Sequence, residues 1–413
     1  MLDWLQPDGR RLLCTRALRT FGYGYVGVVL GLYLQQLGLS ALQVGMVLTA
    51  AVAGSALMNV LWSLAADRFG RRRTVATMAL LMIAGGLLFA LTDRLWLLVL
   101  AAGTGTISAS SAEVGPFLTV EQAILPQTAP DDRRTWLFGL YDGVGSLAGA
   151  AGALCTGAVA IFARLGLTGA SSYRPLFVLY AAIGLLNLLL FLSLSSGVEA
   201  AHVEGGRRFV GLHRSTGTVT RLSALFGLDA LAGGFVVQSI VAYWFHLRWG
   251  LSPATLGVLF FWVGLLSGLS LLVASRMARR FGLLNTMVFS HLPSNLLLVL
   301  VPLAPAAWIA VLLFLARMSV SQMDVPTRRS YTMAVVDADE RTAAAGITNV
   351  ARTAASAVSP VLSGAAVGVG ALGLPFFVAG GLKVLYDGLV YLTFRDVHPP
   401  EEQRRLAPGD QGM

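Results

Sequence analysis

The sequence carries little charge for its length. Only 12% of its 413 residues are Asp, Glu, Lys or Arg, whereas 56% are hydrophobic. Because soluble globular proteins carry about 25% charged residues, this composition excludes an ordinary soluble domain. The net charge of +9 would favour a nucleic-acid partner in a soluble chain. In a chain this apolar the positive residues instead report membrane topology, and we expect no nucleic-acid partner.

Cysteines and cleavage signals are also scarce. The two cysteines, Cys14 and Cys155, both fall within apolar segments, so the sequence implies no disulfide framework. No small-residue cleavage site follows the first apolar run, which predicts a retained membrane helix rather than a signal peptide.

Catalytic motifs are missing from the sequence as well. It contains no histidine–carboxylate cluster with metal-ligand spacing, no nucleophile elbow and no phosphate-binding G-x-x-x-x-G-K-S/T loop. We therefore expect neither an enzyme nor a bound metal or cofactor. Energy for any work across a membrane would come from an ion or solute gradient rather than from ATP.

Long apolar segments dominate what remains. Twelve runs are long enough to cross a bilayer, at roughly 12–37, 41–65, 74–92, 95–120, 136–162, 174–195, 222–247, 253–274, 283–303, 307–327, 343–368 and 374–394. Only 196–221 resembles a linker. The sequence therefore predicts two six-helix bundles, 1–195 and 222–413, joined by a cytoplasmic linker at 196–221, with a short tail after the last helix.

The two predicted halves repeat each other. Residues 63–74 read SLAADRFGRRRT, and 212 positions later residues 275–286 read SRMARRFGLLNT. The same offset places Gly45 on Gly257, while an offset of 207 places Asp142 on Asn349. A chain that repeats itself at half its length, with both copies apolar, is typical of a two-halved membrane transporter.

The basic residues fix the predicted orientation. With the N-terminus inside, the inner loops and tails hold 19 of the 30 basic residues, and the outer loops hold four, at Arg94, Arg164, Arg174 and Arg248. By the positive-inside rule, both termini are expected in the cytoplasm. We expect a multi-pass integral membrane protein, located in the cytoplasmic (inner) membrane if the source is bacterial.

A loop motif makes the resemblance to a family specific. The run from Asp67 to Arg72 (DRFGRR) lies between segments two and three and resembles the signature of the major facilitator superfamily. Its usual first glycine is replaced by Ser63, which is still small enough for close helix approach. The resemblance implies an all-α membrane protein with twelve transmembrane helices in two pseudo-symmetric bundles. Two signatures of drug/proton antiporters are missing: an arginine in segment four and a Gly-Pro pair in segment five.

The resemblance also implies a gating latch at the cytoplasmic face. In the family the signature aspartate lies near the start of helix 11, and an arginine after the glycine pairs with an acid on helix 4. Carried over, Asp67 would face segment eleven near Thr342, and Arg71 would pair with Glu121. The predicted latch also includes Arg68, Gly70 and Asp142. For Arg72 and Arg73 the simpler interpretation is positive-inside charge.

Thirteen ionisable residues other than histidine are assigned to the predicted transmembrane helices, and three of them, Glu121, Arg328 and Arg329, lie just beyond the approximate bounds given above. Each would cost about 2.5–3.5 kcal/mol at a helix centre, so they should face the protein interior or a wet cavity. They are Arg16, Arg19, Arg317, Arg328, Arg329, Arg352, Lys383, Glu113, Glu121, Asp142, Asp229, Asp324 and Asp387. Because positive and negative residues nearly balance, we expect many of them to pair with each other.

Spacing assigns candidate roles to some of these residues. Arg16, Arg19 and Tyr23 share one face of segment one, and with Arg317 and Arg352 they are the candidates for the substrate path. Glu113 and Asp324 are the candidates for proton coupling, because a carboxyl in an apolar site can bind and release a proton near neutral pH. The alternative for each is a permanent ion pair, such as Arg317 with Asp324.

Several local structures are also expected. Thr106, Ser110, Glu113, Phe117 and Glu121 should form one stripe on helix 4, and Pro326 should kink segment ten. Lys383 and Asp387, four residues apart, should pair on segment twelve. His291 is interpreted as a packed polar residue.

These features favour a secondary transporter that works by alternating access. The leading hypothesis is proton-coupled efflux of a small organic solute. The alternatives are a uniporter or uptake carrier for a metabolite anion, and a transporter-like membrane sensor. The expected partners are a small-molecule substrate, the lipid bilayer and a proton gradient, and the expected oligomeric state is a monomer.

Overall fold

The computed structural model describes residues 4–110, 116–130, 133–199, 213–337 and 340–396, and it has no strand within those ranges. The α-helices are α1 (Pro7–Gln36), α2 (Ala41–Phe69), α3 (Arg71–Leu91), α4 (Leu95–Gly103), α5 (Pro116–Ile124), α6 (Arg134–Leu154), α7 (Ala158–Arg164), α8 (Arg174–Leu192), α9 (Thr216–Gly234), α10 (Gln238–Trp249), α11 (Pro253–Phe281), α12 (Leu283–Leu300), α13 (Ala307–Val320), α14 (Asp324–Ala334), α15 (Arg341–Gly368) and α16 (Leu374–Phe394).

Every predicted apolar segment contains helix. Eight segments are single helices, and four are divided: segment four into α4 and α5, five into α6 and α7, seven into α9 and α10, and ten into α13 and α14. Among the described residues, eleven helices are long and apolar enough to cross a membrane. Segment four is the one outside that set: α4 and α5 have nine residues each, and the stretch between them includes residues 111–115, which lie outside the described ranges.

The break in segment ten follows from Pro326. Proline has no N–H, and its ring collides with the carbonyl of the fourth residue before it, here Gln322. Helix α13 accordingly ends at Val320, and α14 begins at Asp324. The predicted kink is thus found as a three-residue interruption of the helix at 321–323.

Segment four differs from the prediction of one continuous helical stripe. Helix α4 ends at Gly103, and Gly105 has a φ of +71°, which glycine adopts without strain. Thr106 and Ser110 therefore lie in an irregular stretch, whereas Phe117 and Glu121 lie on α5. Glu113 lies outside the described residues.

Two equivalent glycines turn the chain between helices. Gly70 has a φ of +100° between α2 and α3, and Gly282 has a φ of +86° between α11 and α12. A residue with a Cβ would be strained at either position. The two glycines are 212 positions apart, so the sequence repeat is also a repeat of backbone geometry.

Contacts group the chain into two compact units. Unit 1 comprises residues 1–206, 234–265 and 357–374, and unit 2 comprises residues 207–233, 266–356 and 375–413. Unit 1 thus combines the first six segments with one end of segments seven, eight and eleven. The division into bundles at 1–195 and 222–413 stays a prediction, and residues 200–212 of the predicted linker lie outside the described residues.

Within unit 1, the two sequence halves approach closely at two glycines. A Cβ added at Gly45 on α2 would lie 2.7 Å from the carbonyl oxygen of Pro360 on α15. A Cβ added at Gly257 on α11 would lie 2.4 Å from the carbonyl oxygen of Ala153 on α6. Gly45 and Gly257 are related by the offset of 212, and Ala153 and Pro360 by the offset of 207. The same helix contact therefore occurs twice.

In unit 2, Glu340 binds the backbone that immediately precedes α9. Its carboxylate is buried and accepts backbone N–H groups from His213 at 2.6 Å, Arg214 at 2.8 Å and Ser215 at 2.8 Å. Burial alone would raise the pKa of Glu340, but the donors from Arg214 and His213 lower it to about 2. The group therefore stays ionised and ties the beginning of segment seven to that of segment eleven.

Candidate functional site

Unit 1 contains a buried ion pair between α1 and α5. Both terminal nitrogens of Arg19 donate to Glu121, at 2.8 and 2.6 Å, and both side chains are fully buried. Thr15 donates to the same carboxylate at 3.0 Å, and the Tyr141 hydroxyl donates to its other oxygen. The guanidinium also lies over the ring of Phe117, 4.4 Å from its centroid.

This arrangement gives Glu121 a different partner from the predicted Arg71. The carboxylate is occupied by Arg19, Thr15 and Tyr141, whereas Nη1 of Arg71 donates to the backbone carbonyl of Ala123 at 3.2 Å. An acid so fully supplied with donors clamps α1, α5 and α6 together. The same geometry favours a structural role over a substrate contact for Arg19.

The other unit 1 candidates lie around this pair. Nη2 of Arg16 is 3.8 Å from Asp142, and its guanidinium lies 4.6 Å from the ring centroid of Tyr141. Gly145 leaves room for Arg16, because a Cβ there would lie 2.5 Å from its Nε. Tyr23 is buried, and its ring lies 6.2 Å from that of Tyr180.

The signature loop is held by an acid that sequence reasoning missed. Glu199 accepts the backbone N–H groups of Arg71 at 2.7 Å and Arg72 at 3.3 Å, at the N-terminus of α3. A carboxylate is favoured there because the helix dipole leaves positive charge at that end. The sequence signal was an acid following segment six. Arg68 is exposed, and the side chain of Asp67 lies outside the described residues, so its predicted contact stays a prediction.

The irregular stretch in segment four is stabilised by α10 and α8. The backbone N–H and the hydroxyl of Ser239 both donate to the carbonyl of Ala109, at 3.1 Å each, and the hydroxyl also donates to Gly27 at 2.8 Å. The Tyr180 hydroxyl donates to the carbonyl of Thr106. Non-helical backbone at membrane depth requires such partners, because lipid offers none.

Unit 2 contains a larger network centred on Asp229 of α9. One carboxylate oxygen contacts Arg328 of α14 at 3.1 Å and Arg352 of α15 at 3.2 Å, and the other contacts Lys383 of α16 at 2.5 Å. Asp229 is 4% exposed. A single buried acid thus joins three cations from three other helices.

Two predicted site residues lie on either side of the break in segment ten. Asp324 is buried and pairs with Arg328 one turn along α14, at 2.8 Å. Arg317 of α13 is partly buried, and its guanidinium lies 5.9 Å from the centroid of Phe314. No carboxylate within the described ranges lies within 4 Å of Arg317, so the alternative of a permanent pair with Asp324 is not found.

A polar triad joins α12 to α16 beside this network. Nδ1 of His291 lies 2.8 Å from Asp387, and the amide of Asn295 donates to the other oxygen of Asp387 at 2.8 Å. The predicted pair of Lys383 with Asp387 is wrong, because Lys383 contacts Asp229 instead. His291 is packed and polar, as interpreted, but it is also half of an acid–base pair. Spacing within one segment could not reveal it, since the partners come from two segments.

The two networks lie on equivalent segments of the repeat, with their charges exchanged. In unit 1 an arginine of segment one contacts an acid of segment four, and in unit 2 an acid of segment seven contacts an arginine of segment ten. Each arginine also lies near an aromatic ring, Arg19 near Phe117 and Arg328 near Phe226, the latter at 5.6 Å. Within the described residues no group of His, Cys, Asp and Glu could hold a metal ion.

The comparisons with known proteins agree with this architecture. Residues 12–360 match the family model described as Major Facilitator Superfamily. The chain belongs to the major facilitator superfamily. The predicted family and all-α membrane fold are thereby confirmed, and the protein is a multi-pass membrane protein of a transporter family.

Individual similar proteins align with nearly the whole length of the chain. It is 27% identical to the uncharacterized membrane protein YJR124C of Saccharomyces cerevisiae over 425 residues, covering 94% of each chain. It superposes on a bacterial homolog of the human lysosomal transporter Spinster in an inward-facing, unoccupied conformation, with a TM-score of 0.74, 15% identity and coverage of 97% and 98%. A D-xylose–proton symporter gives a TM-score of 0.70, 17% identity and coverage of 93% and 97%. At such identities the structural likeness shows the fold.

Proposed function

We propose that this superfamily member is a proton-coupled secondary transporter of a small organic solute that carries an anionic group. The observation that carries the proposal is Arg317, a cation in the middle of a membrane segment with no carboxylate within 4 Å in the described part of the chain. A positive charge at that depth in the membrane requires a balancing negative charge, and an anionic group of the substrate would supply it.

The surroundings of Arg317 support a binding role. It lies one turn before the break between α13 and α14, and interrupted helices form the binding sites of many transporters. Unit 2 also carries an excess of positive charge near it. Arg317, Arg328, Arg352 and Lys383 stand against Asp229, Asp324 and Asp387, so this cluster has a net charge of about +1 when His291 is neutral.

The family and the internal repeat support transport by alternating access. Proton coupling is proposed because buried carboxyl and imidazole groups lie beside the cationic cluster. Efflux remains the proposed direction, with protons moving inward in exchange. The latch residues Asp67, Arg68, Gly70, Arg71 and Asp142 and the cytoplasmic position of both termini also remain proposals.

The experiment is proton movement in proteoliposomes that contain the purified chain and a trapped pH dye. The probes are four anions (lactate, succinate, citrate and glucose 6-phosphate), the neutral sugar xylose and the lipophilic cation tetraphenylphosphonium. We expect at least one anion to change the internal pH, and empty liposomes to show no such change. Arg317→Gln should abolish the response, whereas Arg164→Gln, an exposed residue, should preserve it.

Other outcomes select the alternatives. Uptake of a labelled anion without any pH change would reject proton coupling and establish a uniporter. A response to xylose or tetraphenylphosphonium alone would reject the anionic substrate. If none of the probes crosses the membrane, the transport proposal fails for these solute classes and the sensor alternative gains support.

A further inference from the structure

Asp387 differs from the other buried acids of the described spans. Glu121, Asp229 and Asp324 each contact an arginine or lysine within 4 Å, which supplies a permanent counter-charge. Asp387 is 1% exposed, and its one ionisable partner within 4 Å in the described ranges is His291. A buried carboxylate without a permanent cation is costly, and a proton on the imidazole would supply its counter-charge.

His291 is placed to bind that proton on its other nitrogen. Its Nδ1 lies 2.8 Å from Asp387, and its Nε2 lies 3.9 Å from Asp229. When Nδ1 donates to Asp387, the neutral ring has its lone pair on Nε2, which faces a second carboxylate. The side chain is 4% exposed, so the ring is enclosed between these two acids.

We propose that His291 is the proton-binding site: Nε2 takes up one proton from water on one side of the membrane, and the imidazolium then bridges Asp387 and Asp229. Bridging requires a shortening of about 1 Å between Nε2 and Asp229 for a normal hydrogen bond. Loss of the proton to the other side leaves a neutral ring that cannot donate to Asp229. As a coupling site, His291 presupposes the proton-driven transport proposed above.

The charged neighbours explain how the proton could act on the substrate site. Protonated His291 competes with Lys383 for the same oxygen of Asp229, which lies 2.5 Å from Nζ and 3.9 Å from Nε2. Lys383 lies one turn before Asp387 on α16, so the lysine that competes for Asp229 and the acid that contacts Nδ1 belong to the same helix. The polar and charged groups on the helices around the pair are Asp229 on α9, Asn295 on α12, Arg317 on α13, Asp324 and Arg328 on α14, Arg352 on α15, and Lys383 and Tyr386 on α16.

Two consequences follow for coupling. A proton on His291 adds one positive charge to a cluster that already exceeds neutrality, which strengthens the attraction for an anionic substrate group. It also weakens the contact of Asp229 with Lys383 on α16, while the contacts of Asp229 with Arg328 and Arg352 remain. The site differs from the sequence candidates Glu113 and Asp324, because Asp324 is already paired with Arg328.

Nitrogen-15 NMR of the full chain in lipid nanodiscs, labelled at its 5 histidines, tests the site directly. The His291 signal is identified by its loss in His291→Gln. We expect the signal to change from a neutral ring protonated on Nδ1 at about pH 8.5 to an imidazolium at about pH 5. In Asp387→Asn the neutral ring should show both tautomers, a change that a purely packing role would not produce. A ring that stays neutral across this range overturns the proposal.

The same variants in the dye-loaded proteoliposomes separate this proposal from the proposed function. We expect His291→Gln to lose the pH response to the anion panel, and His246→Gln, the matched control on α10, to keep it. A full response in His291→Gln would overturn the assignment of the proton and leave proton-coupled transport intact. A titrating His291 in a wild-type chain that moves no protons with any probe would support the binding site and refute the proposed function.

Discussion

Single residues in the spans differ mainly in how their charge is balanced. Glu121 accepts from a bidentate arginine and two hydroxyls, and Asp229 contacts three cations. Asp387 contacts an imidazole and an amide, and within the described ranges no arginine or lysine lies within 4 Å of it. The first two acids are therefore balanced by permanent cations and join helices to one another. The third can change its charge balance with the proton on its partner.

Replacing Glu121 by Gln should lower the stability of the protein, and not only its rate of transport. The change leaves the buried guanidinium of Arg19 without a counter-charge, and breaking a buried ion pair in this way costs about 3–5 kcal/mol. Thermal unfolding in detergent should show a large loss of stability. The double variant Arg19→Met/Glu121→Gln should regain part of that loss, because no unpaired charge remains. Equal losses in the single and double variants would show that the pair itself is not what matters.

The sequence predicted which residues are charged inside the membrane, but not their partners. Lys383 and Asp387 have the spacing of a pair along one helix, and Arg71 and Glu121 have the pairing implied by the family. In the structure both of these pairs are replaced. Lys383 contacts Asp229 of segment seven, and Glu121 contacts Arg19 of segment one. Partner choice between helices depends on rotation and depth, and neither is encoded in local spacing.

Helical elements show where the chain departs from simple spans. The apolar runs predicted the positions of the helices, and Pro326 predicted the break in segment ten. The break in segment four was missed because it follows from contacts with Ser239 and Tyr180, which come from distant segments. Apolar composition alone cannot distinguish a continuous helix from one whose free carbonyls are satisfied by neighbouring helices.

Valine at Gly45 or at Gly257 should weaken the packing of unit 1. A Cβ at either position would lie within 3.0 Å of a backbone carbonyl oxygen, which cannot rotate away as a side chain could. Overpacking of this kind costs about 1–3 kcal/mol. We expect lower unfolding temperatures in detergent for both variants, and similar losses because the two contacts are related by the repeat.

The matched control is Gly268→Val on α11, the same helix as Gly257. A Cβ at Gly268 would have no atom within 4 Å, while the change in helix propensity is the same. A Gly268→Val variant as unstable as Gly257→Val would mean that helix propensity, not close approach, explains the loss.

At the scale of the whole molecule, the two halves share geometry but not chemistry. The glycine turns at Gly70 and Gly282 and the contacts of Gly45 and Gly257 occur in both copies. The acid–arginine pairs are exchanged between segments, and the histidine pair belongs to one copy only. Repeated geometry suits the symmetric motion of the proposed alternating access. Diverged charge suits the proposed substrate and proton, which have no symmetry of their own.

The signature loop gives a prediction for that motion. Asp67→Asn and Arg71→Ala should both slow exchange of a transported anion in proteoliposomes while leaving expression near normal. The backbone N–H of Arg71 still donates to Glu199 in the alanine variant, so α3 keeps its N-terminal carboxylate and the fold should survive. Arg73→Ala is the matched control, because Arg73 is exposed and its charge is expected to serve topology alone. If both signature variants exchange solute at the wild-type rate, the loop sets the orientation of the chain but does not control its conformational cycle.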